Sequence, residues 1–166
     1  MPGRPSALVF LLCASLWACG YTVVRADAVP GGQALRVAPF VNKTALAEAG
    51  GWCAQAARQA LLTKGRLASE SSTGPVLRGE LKTLRSAASA LGAGGVAALR
   101  VEVELGLRIE QDQALLYADV ATGGEDYPAG VDVTESEANR RAAIRRLVER
   151  VLGEAIERMQ VASVGR

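Results

Sequence analysis

The sequence predicts an α+β fold, a two-layer sandwich in which a mixed sheet of roughly four strands carries two amphipathic helices on one face, in the order β-α-β-β-β-α. Three observations predict it. Leu99, Val101, Val103, Leu105, Leu107 and Ile109 alternate with Arg100, Glu102, Glu104, Gly106, Arg108 and Glu110, a period of two that demands one buried and one polar face. Ile144, Leu147, Val148, Val151, Leu152, Ala155, Ile156 and Met159 form one continuous helical stripe. Cys53, Ala57, Ala60 and Leu61 repeat that spacing earlier in the chain. Packing both helices on the apolar side of the sheet buries all three surfaces at once.

Taken in order, residues 1–18 read as a secretory leader: one cation at Arg4, an apolar run from Ala7 to Leu12 continued by Leu16 and Trp17, and small Ala18 before Cys19. The run is shorter than the ~20 apolar residues of a membrane helix. Cleavage before Cys19 leaves that residue to carry a diacylglycerol and an N-linked acyl chain such as palmitate, which tether a protein far more firmly than a single chain does. Cys13 follows bulky Leu12 and does not compete. Residues 19–34 form the lipidated N-terminus and a linker, with a turn at Pro30-Gly31-Gly32, and residues 35–166 form one domain.

Within that domain, residues 35–41 read as the first strand, with Pro39 pushing it to a sheet edge or a bulge. Asn42 or Thr44 opens the next segment. Gly50-Gly51 weakens its first turns, so the helix is expected to begin near Trp52 and to stop at Gly65. The first strand, this helix and the next strand form a crossover unit. After the serine-rich loop 69–75, a second strand over 76–86 sets Leu77, Gly79 and Leu81 against Arg78, Glu80 and Lys82. Gly92-Ala93-Gly94-Gly95 and Gln111-Asp112-Gln113 are turn-sized, which makes residues 76–120 an antiparallel meander. Asp126-Tyr127-Pro128 and Gly130 end the sheet. Thr134-Glu135-Ser136-Glu137 then reads as the capping box of the last helix.

Composition narrows the function. With 19 basic and 17 acidic residues the net charge is +2, too balanced for a nucleic-acid binder. The chain has no histidine, which removes the usual general base, the Ser-His and Cys-His nucleophile systems and imidazole metal sites. Neither an enzymatic activity nor a cofactor or metal is expected. Aromatic residues make up only 4%, too few for a stacking platform. Cys53 is the one thiol left beyond Cys19, so no internal disulfide can form, and its helical spacing marks it as a small buried side chain.

Cys19-Gly20-Tyr21 behind the leader, the Phe40-Val41-Asn42-Lys43-Thr44 stretch, Leu77-Arg78-Gly79-Glu80-Leu81 and Glu125-Asp126-Tyr127, in this order and spacing, resemble the lipopolysaccharide-assembly lipoprotein LptE family of the Gram-negative outer membrane. Cys19-Gly20-Tyr21 is similar to the family's start. The segment Val37-Ala38-Pro39-Phe40-Val41-Asn42-Lys43-Thr44 resembles its first strand and the Phe-x-Asn-x-Thr turn that follows. Leu77-Arg78-Gly79-Glu80-Leu81 resembles its second strand, and Glu125-Asp126-Tyr127 fits the approach to the last helix. The resemblance covers essentially the whole chain beyond the leader. It implies a non-enzymatic lipoprotein, anchored in the outer membrane and facing the periplasm, that sits in the lumen of the large β-barrel LptD, supports its assembly and helps deliver lipopolysaccharide to the outer leaflet.

For such a role the candidate lipopolysaccharide contacts are Arg78, Lys82, Arg100 and Arg108, which share the polar sheet face and suit the phosphates of lipid A. The competing expectation is that they simply pair with Glu80, Glu102 and Glu104. The arginines of the last helix, Arg140, Arg141, Arg145, Arg146, Arg150 and Arg158, are expected to solvate its outer face. Two rival functions remain: a periplasmic lipoprotein adapter in another envelope assembly or secretion machine, and a glycan hydrolase using Asp119 with Glu125 or Asp126.

Overall fold

The computed structural model describes residues 34–92 and 95–161. The leader and Cys19 lie outside them. The described chain runs β1 (Arg36–Val37), β2 (Val41–Asn42), α1 (Ala49–Thr63), β3 (Val76–Gly92), β4 (Gly95–Gln111), β5 (Ala114–Pro128) and α2 (Val133–Val161). The result is a mixed, open sheet of five strands with both helices on one face, the expected sandwich with its first strand divided in two.

Pro39 divides it. Both halves pair parallel with β3, Arg36 beside Val76 and Val37 beside Leu77, then Val41 beside Glu80 and Asn42 beside Leu81. Three residues between Val37 and Val41 thus stand against two between Leu77 and Glu80, a bulge at the residue that has no amide hydrogen to give the ladder. The ladder continues around it through Ala38 N–H to Leu77 O at 3.0 Å and Lys43 N–H to Leu81 O at 2.9 Å. Since β1 and β2 precede α1 and β3 follows it, α1 is the crossover of a parallel unit.

β3 extends to Gly92, beyond its expected end at Ser86, and β5 runs past the Val120 limit expected of the meander to Pro128, in the Asp126-Tyr127-Pro128 segment expected to end the sheet. The meander's second turn is a two-residue hairpin, with Asp112 and Gln113 at φ of 50° and 69° between paired Gln111 and Ala114. In β3 the register slips between Leu81 and Thr83. That bulge turns Lys82 and Thr83 both outward and restores Leu84 to the core opposite Val103.

α1 begins at Ala49, three residues before the expected Trp52. Gly50 is tolerated because the helix start lies hard against the first strand: a Cβ there would sit 3.1 Å from Phe40 O and 3.2 Å from Asn42 Cβ. Asn42 does not cap the helix. It organises the preceding turn instead, accepting from Thr44 N–H at 2.9 Å and donating to Leu46 O at 2.7 Å. At the other end Gly65, with φ +65°, closes the helix: Arg66 N–H reaches Leu61 O and Gly65 N–H reaches Leu62 O.

The capping box of α2 stands two residues before its expected place. Asp132 accepts from Glu135 N–H at 2.8 Å, and Glu135 reaches back to Val131 N–H at 2.8 Å. A carboxylate at the cap outcompetes the Thr134 hydroxyl for the free amides of the first turn, where it also meets the positive end of the helix dipole. Glu137 is released to bind Arg140 and Arg141. The whole predicted α2 stripe from Ile144 to Met159 is buried, together with Leu77, Leu81 and the inward side chains of β4. Gly123 lets α2 come down on β5, since a Cβ there would meet Val151 Cγ2 at 2.5 Å. Cys53 lies in this core, fully buried, and burial pushes its thiol up to about 12.

Candidate functional site: the polar face of the sheet

With the helices on one side, the opposite side of β3, β4 and β5 is an open polar face. Pairing in the sheet decides which charges meet there. Arg78 stands directly across from Arg108, a like-charge pair that would be destabilising on its own. Glu110 resolves it, with one carboxylate oxygen 2.8 Å from Arg78 Nε and the other 3.9 Å from Arg108 Nε. The Lys82 ammonium, turned outward by the bulge, lies 3.2 Å from Glu104. Arg100 Nε is 3.5 Å from Glu102, and its Nη1 donates to Asp126 at 3.0 Å.

All four candidate cations therefore share one face, as the sequence requires, and each already holds an acid. The partners differ from the expected set. Glu110 and Asp126 replace Glu80, which forms no ion pair among the described residues. Two glycines make room for the long side chains. A Cβ on Gly106 would meet Lys82 Cε at 3.1 Å, and one on Gly124 would meet Arg100 Nη2 at 2.7 Å. Lys82 and Arg100 thus lie flat across neighbouring strands, bordering two shallow depressions of about 480 Å³ each.

Arg85 is the residue that sequence reasoning missed. Unbroken alternation from Leu77 points it into the core, but the bulge at Lys82 moves it to the polar face opposite Glu102. It is exposed and forms no ion pair among the described residues. The face then carries five cations, Arg78, Lys82, Arg85, Arg100 and Arg108, against five acids, Glu80, Glu102, Glu104, Glu110 and Asp126. Such a surface is densely charged yet neutral overall.

The carboxylates considered for hydrolysis are not brought together. Asp119 and Glu125 point to the helical side, where Arg158 and Arg146 of α2 bind them at 2.9 and 2.7 Å, and Asp126 points to the other face. Six residues of strand separate Asp119 from Glu125 by about 20 Å, well beyond the spacing of a hydrolytic pair. The α2 arginines are accordingly tied to neighbouring elements as well as solvated. Arg145 instead lies over the Trp52 ring, 4.6 Å from its centroid, beside a groove of about 550 Å³ between the helices.

One end of the molecule differs from the rest. Residues 86–91 of β3 and 95–99 of β4 carry no charge, and the hairpin end is exposed on both faces. Ala129 N–H binds Ala97 O at 3.2 Å, which sets the β5–α2 connection beside it. Leu91 and Val96 of the hairpin are 80% and 45% exposed, and Val131 and Val133, which follow β5, are 96% and 86% exposed. Among the described residues no helix is long and apolar enough to cross a membrane, and no three acidic or cysteine side chains could hold a metal ion.

No protein-family model matches the chain, and no curated protein matches it significantly. Solved structures do match in fold. A lipoprotein candidate from Caulobacter crescentus CB15 superposes with a TM-score of 0.63 at 10% identity, over 86% of this chain and 99% of its own. Rare lipoprotein B from Shewanella oneidensis gives 0.56 at 12% identity, over 78% and 97%. A minor lipoprotein from Acinetobacter baumannii gives 0.55 at 11% identity, over 77% and 91%. The chain thus shares its fold with these three bacterial proteins.

Proposed function

We propose that this chain is an outer-membrane lipoprotein of the LptE type, held at the periplasmic face by lipid on Cys19, that supports assembly of the LptD barrel and delivery of lipopolysaccharide to the outer leaflet. One observation carries the reading. Two of the segments that resemble the family form a single packed unit, with the Phe40 ring lying on Gly79 where any Cβ would collide with it. They meet because both halves of the first strand pair parallel with β3, the arrangement the resemblance implies for them. The role is non-catalytic, without a cofactor beyond the covalent lipid.

The neutral, densely charged sheet face supports the same reading. A wet barrel lumen offers polar groups of both signs, and scattered charged hydrogen bonds match it better than one apolar patch. Lipid A phosphates would compete with Glu110, Glu104, Glu102 and Asp126 for cations already oriented by the sheet. Changing Arg78, Lys82, Arg100 and Arg108 together to glutamine should weaken lipopolysaccharide binding at least tenfold. Unchanged affinity would remove the four from the site.

An adapter in a different envelope machine is the second reading, favoured by the apolar hairpin end. An uncharged, exposed hairpin end with Leu91 and Val96 on it offers an apolar contact to a partner. Identification of the co-purifying protein separates the two.

A further inference from the structure

A second basic site adjoins the candidate face where it meets the open edge of the sheet, and shares Arg78 with it. Arg36 of β1, Arg58 of α1 and Arg78 of β3 line a pocket of about 370 Å³, with Glu70 of the preceding loop at its rim. The Pro39 bulge forms part of its wall. Where Arg78, Arg100, Arg108, Arg146 and Arg158 each hold a carboxylate, Arg36 and Arg58 hold none among the described residues. Arg58 gives one hydrogen bond, 3.3 Å, to the Val37 carbonyl. The Arg36 side chain gives none among the described residues, and its Nε is sealed from solvent without an acceptor. Holding a guanidinium half-buried and unpaired is costly, and the remedy is an anion.

Glu70 lies against the same pocket but forms no ion pair with the three arginines. A bare phosphate would meet that carboxylate as a repulsion. A ligand with an ammonium group a short arm away from its phosphate would use both. We infer that this pocket binds a phosphoethanolamine-type group, its phosphate on Arg36, Arg58 and Arg78 and its ammonium on Glu70. Guanidinium forks match phosphate oxygens in pairs, and the volume admits the two-carbon arm. The position suits a lipid headgroup, since Cys19 precedes Arg36 by 17 residues, a tether of at most about 60 Å. This inference does not depend on the barrel partner.

The test uses the full chain, purified in a phosphate-free sugar detergent with nitrogen-labelled arginine, and reads the Arg36, Arg58 and Arg78 side-chain signals by NMR. O-phosphoethanolamine should shift them saturably, at least tenfold more tightly than inorganic phosphate or ethanolamine does. Arg36→Gln with Arg58→Gln should weaken binding at least tenfold, and Glu70→Gln should abolish the preference over inorganic phosphate, with amide signals elsewhere unchanged. Nanodiscs of phosphatidylethanolamine, compared with phosphatidylcholine, separate the sources. A shift only in the former assigns a lipid headgroup, and a shift with the soluble compound alone assigns a soluble or glycan-linked group. No saturable shift, or equal affinity for inorganic phosphate and phosphoethanolamine in the unmodified chain, overturns the proposal.

Discussion

Phe40 and Gly79 set the standard for what a single residue does in this fold. The ring occupies the space of a side chain on Gly79, so Gly79→Ala overpacks the edge and should cost about 1–3 kcal/mol in urea unfolding. Phe40→Ala leaves a hole instead, with a loss of about 3–5 kcal/mol. Combined, the two changes should cost less than their sum, because removing the ring removes the clash. Additive costs would mean that the two residues do not share this space. Cys53 offers a separate check. Burial raises its pKa to about 12 from an ordinary 9, so the neutral thiol favours the folded state below pH 9, and that contribution fades as pH climbs toward 12. A thiol reagent at pH 8 should leave Cys53 untouched in the native protein and modify it in urea. Sequence spacing was enough to place Cys53 in the core, because a helix face is local. The partner of Gly79 was illegible, because it arrives from a strand 39 positions earlier across a crossover.

At the scale of elements, the period-two run of β4 and the stripe of α2 were legible because each keeps one face buried along its whole length. Boundaries and registers were less so. The bulge at Lys82 has no local signature, yet it decides whether Arg85 faces solvent, since one extra residue exchanges the two faces of a strand. The start of α2 shows the same limit: Asp132 and Thr134 both resemble caps, and the connection from β5 selects Asp132. Asp132→Ala should therefore cost about 0.5–2 kcal/mol, and Thr134→Ala much less, in thermal or urea unfolding. Equal losses would return the cap to Thr134. Glu137 carries the pH dependence of this turn. Its hydrogen bond from Arg141, helped by Arg140, holds the carboxyl below its ordinary 4.5. The stabilisation is present above pH 4.5 and is lost as pH falls through the lowered value, so Glu137→Gln should flatten the acid limb of the stability curve there.

The whole molecule presents three distinct exteriors: a helical side, a neutral but densely charged sheet face, and an uncharged apolar hairpin end. The layering that creates them follows from amphipathic patterns the sequence carries openly. Their charge balance does not, because it depends on which acids the register sets beside each cation. Arg78 and Arg108 would repel across the ladder without Glu110, and only the paired structure reveals that Glu110 serves both. The central claim is that this lipoprotein fold acts in complex with a large outer-membrane β-barrel during lipopolysaccharide delivery. Affinity purification of the native, membrane-extracted protein, beside a Cys19→Ala control and followed by mass identification, tests it most directly. Stoichiometric recovery of the LptD barrel with the lipidated protein is the predicted result. Confirmed lipid on Cys19 with no barrel in the eluate would contradict it and assign the fold to another envelope machine.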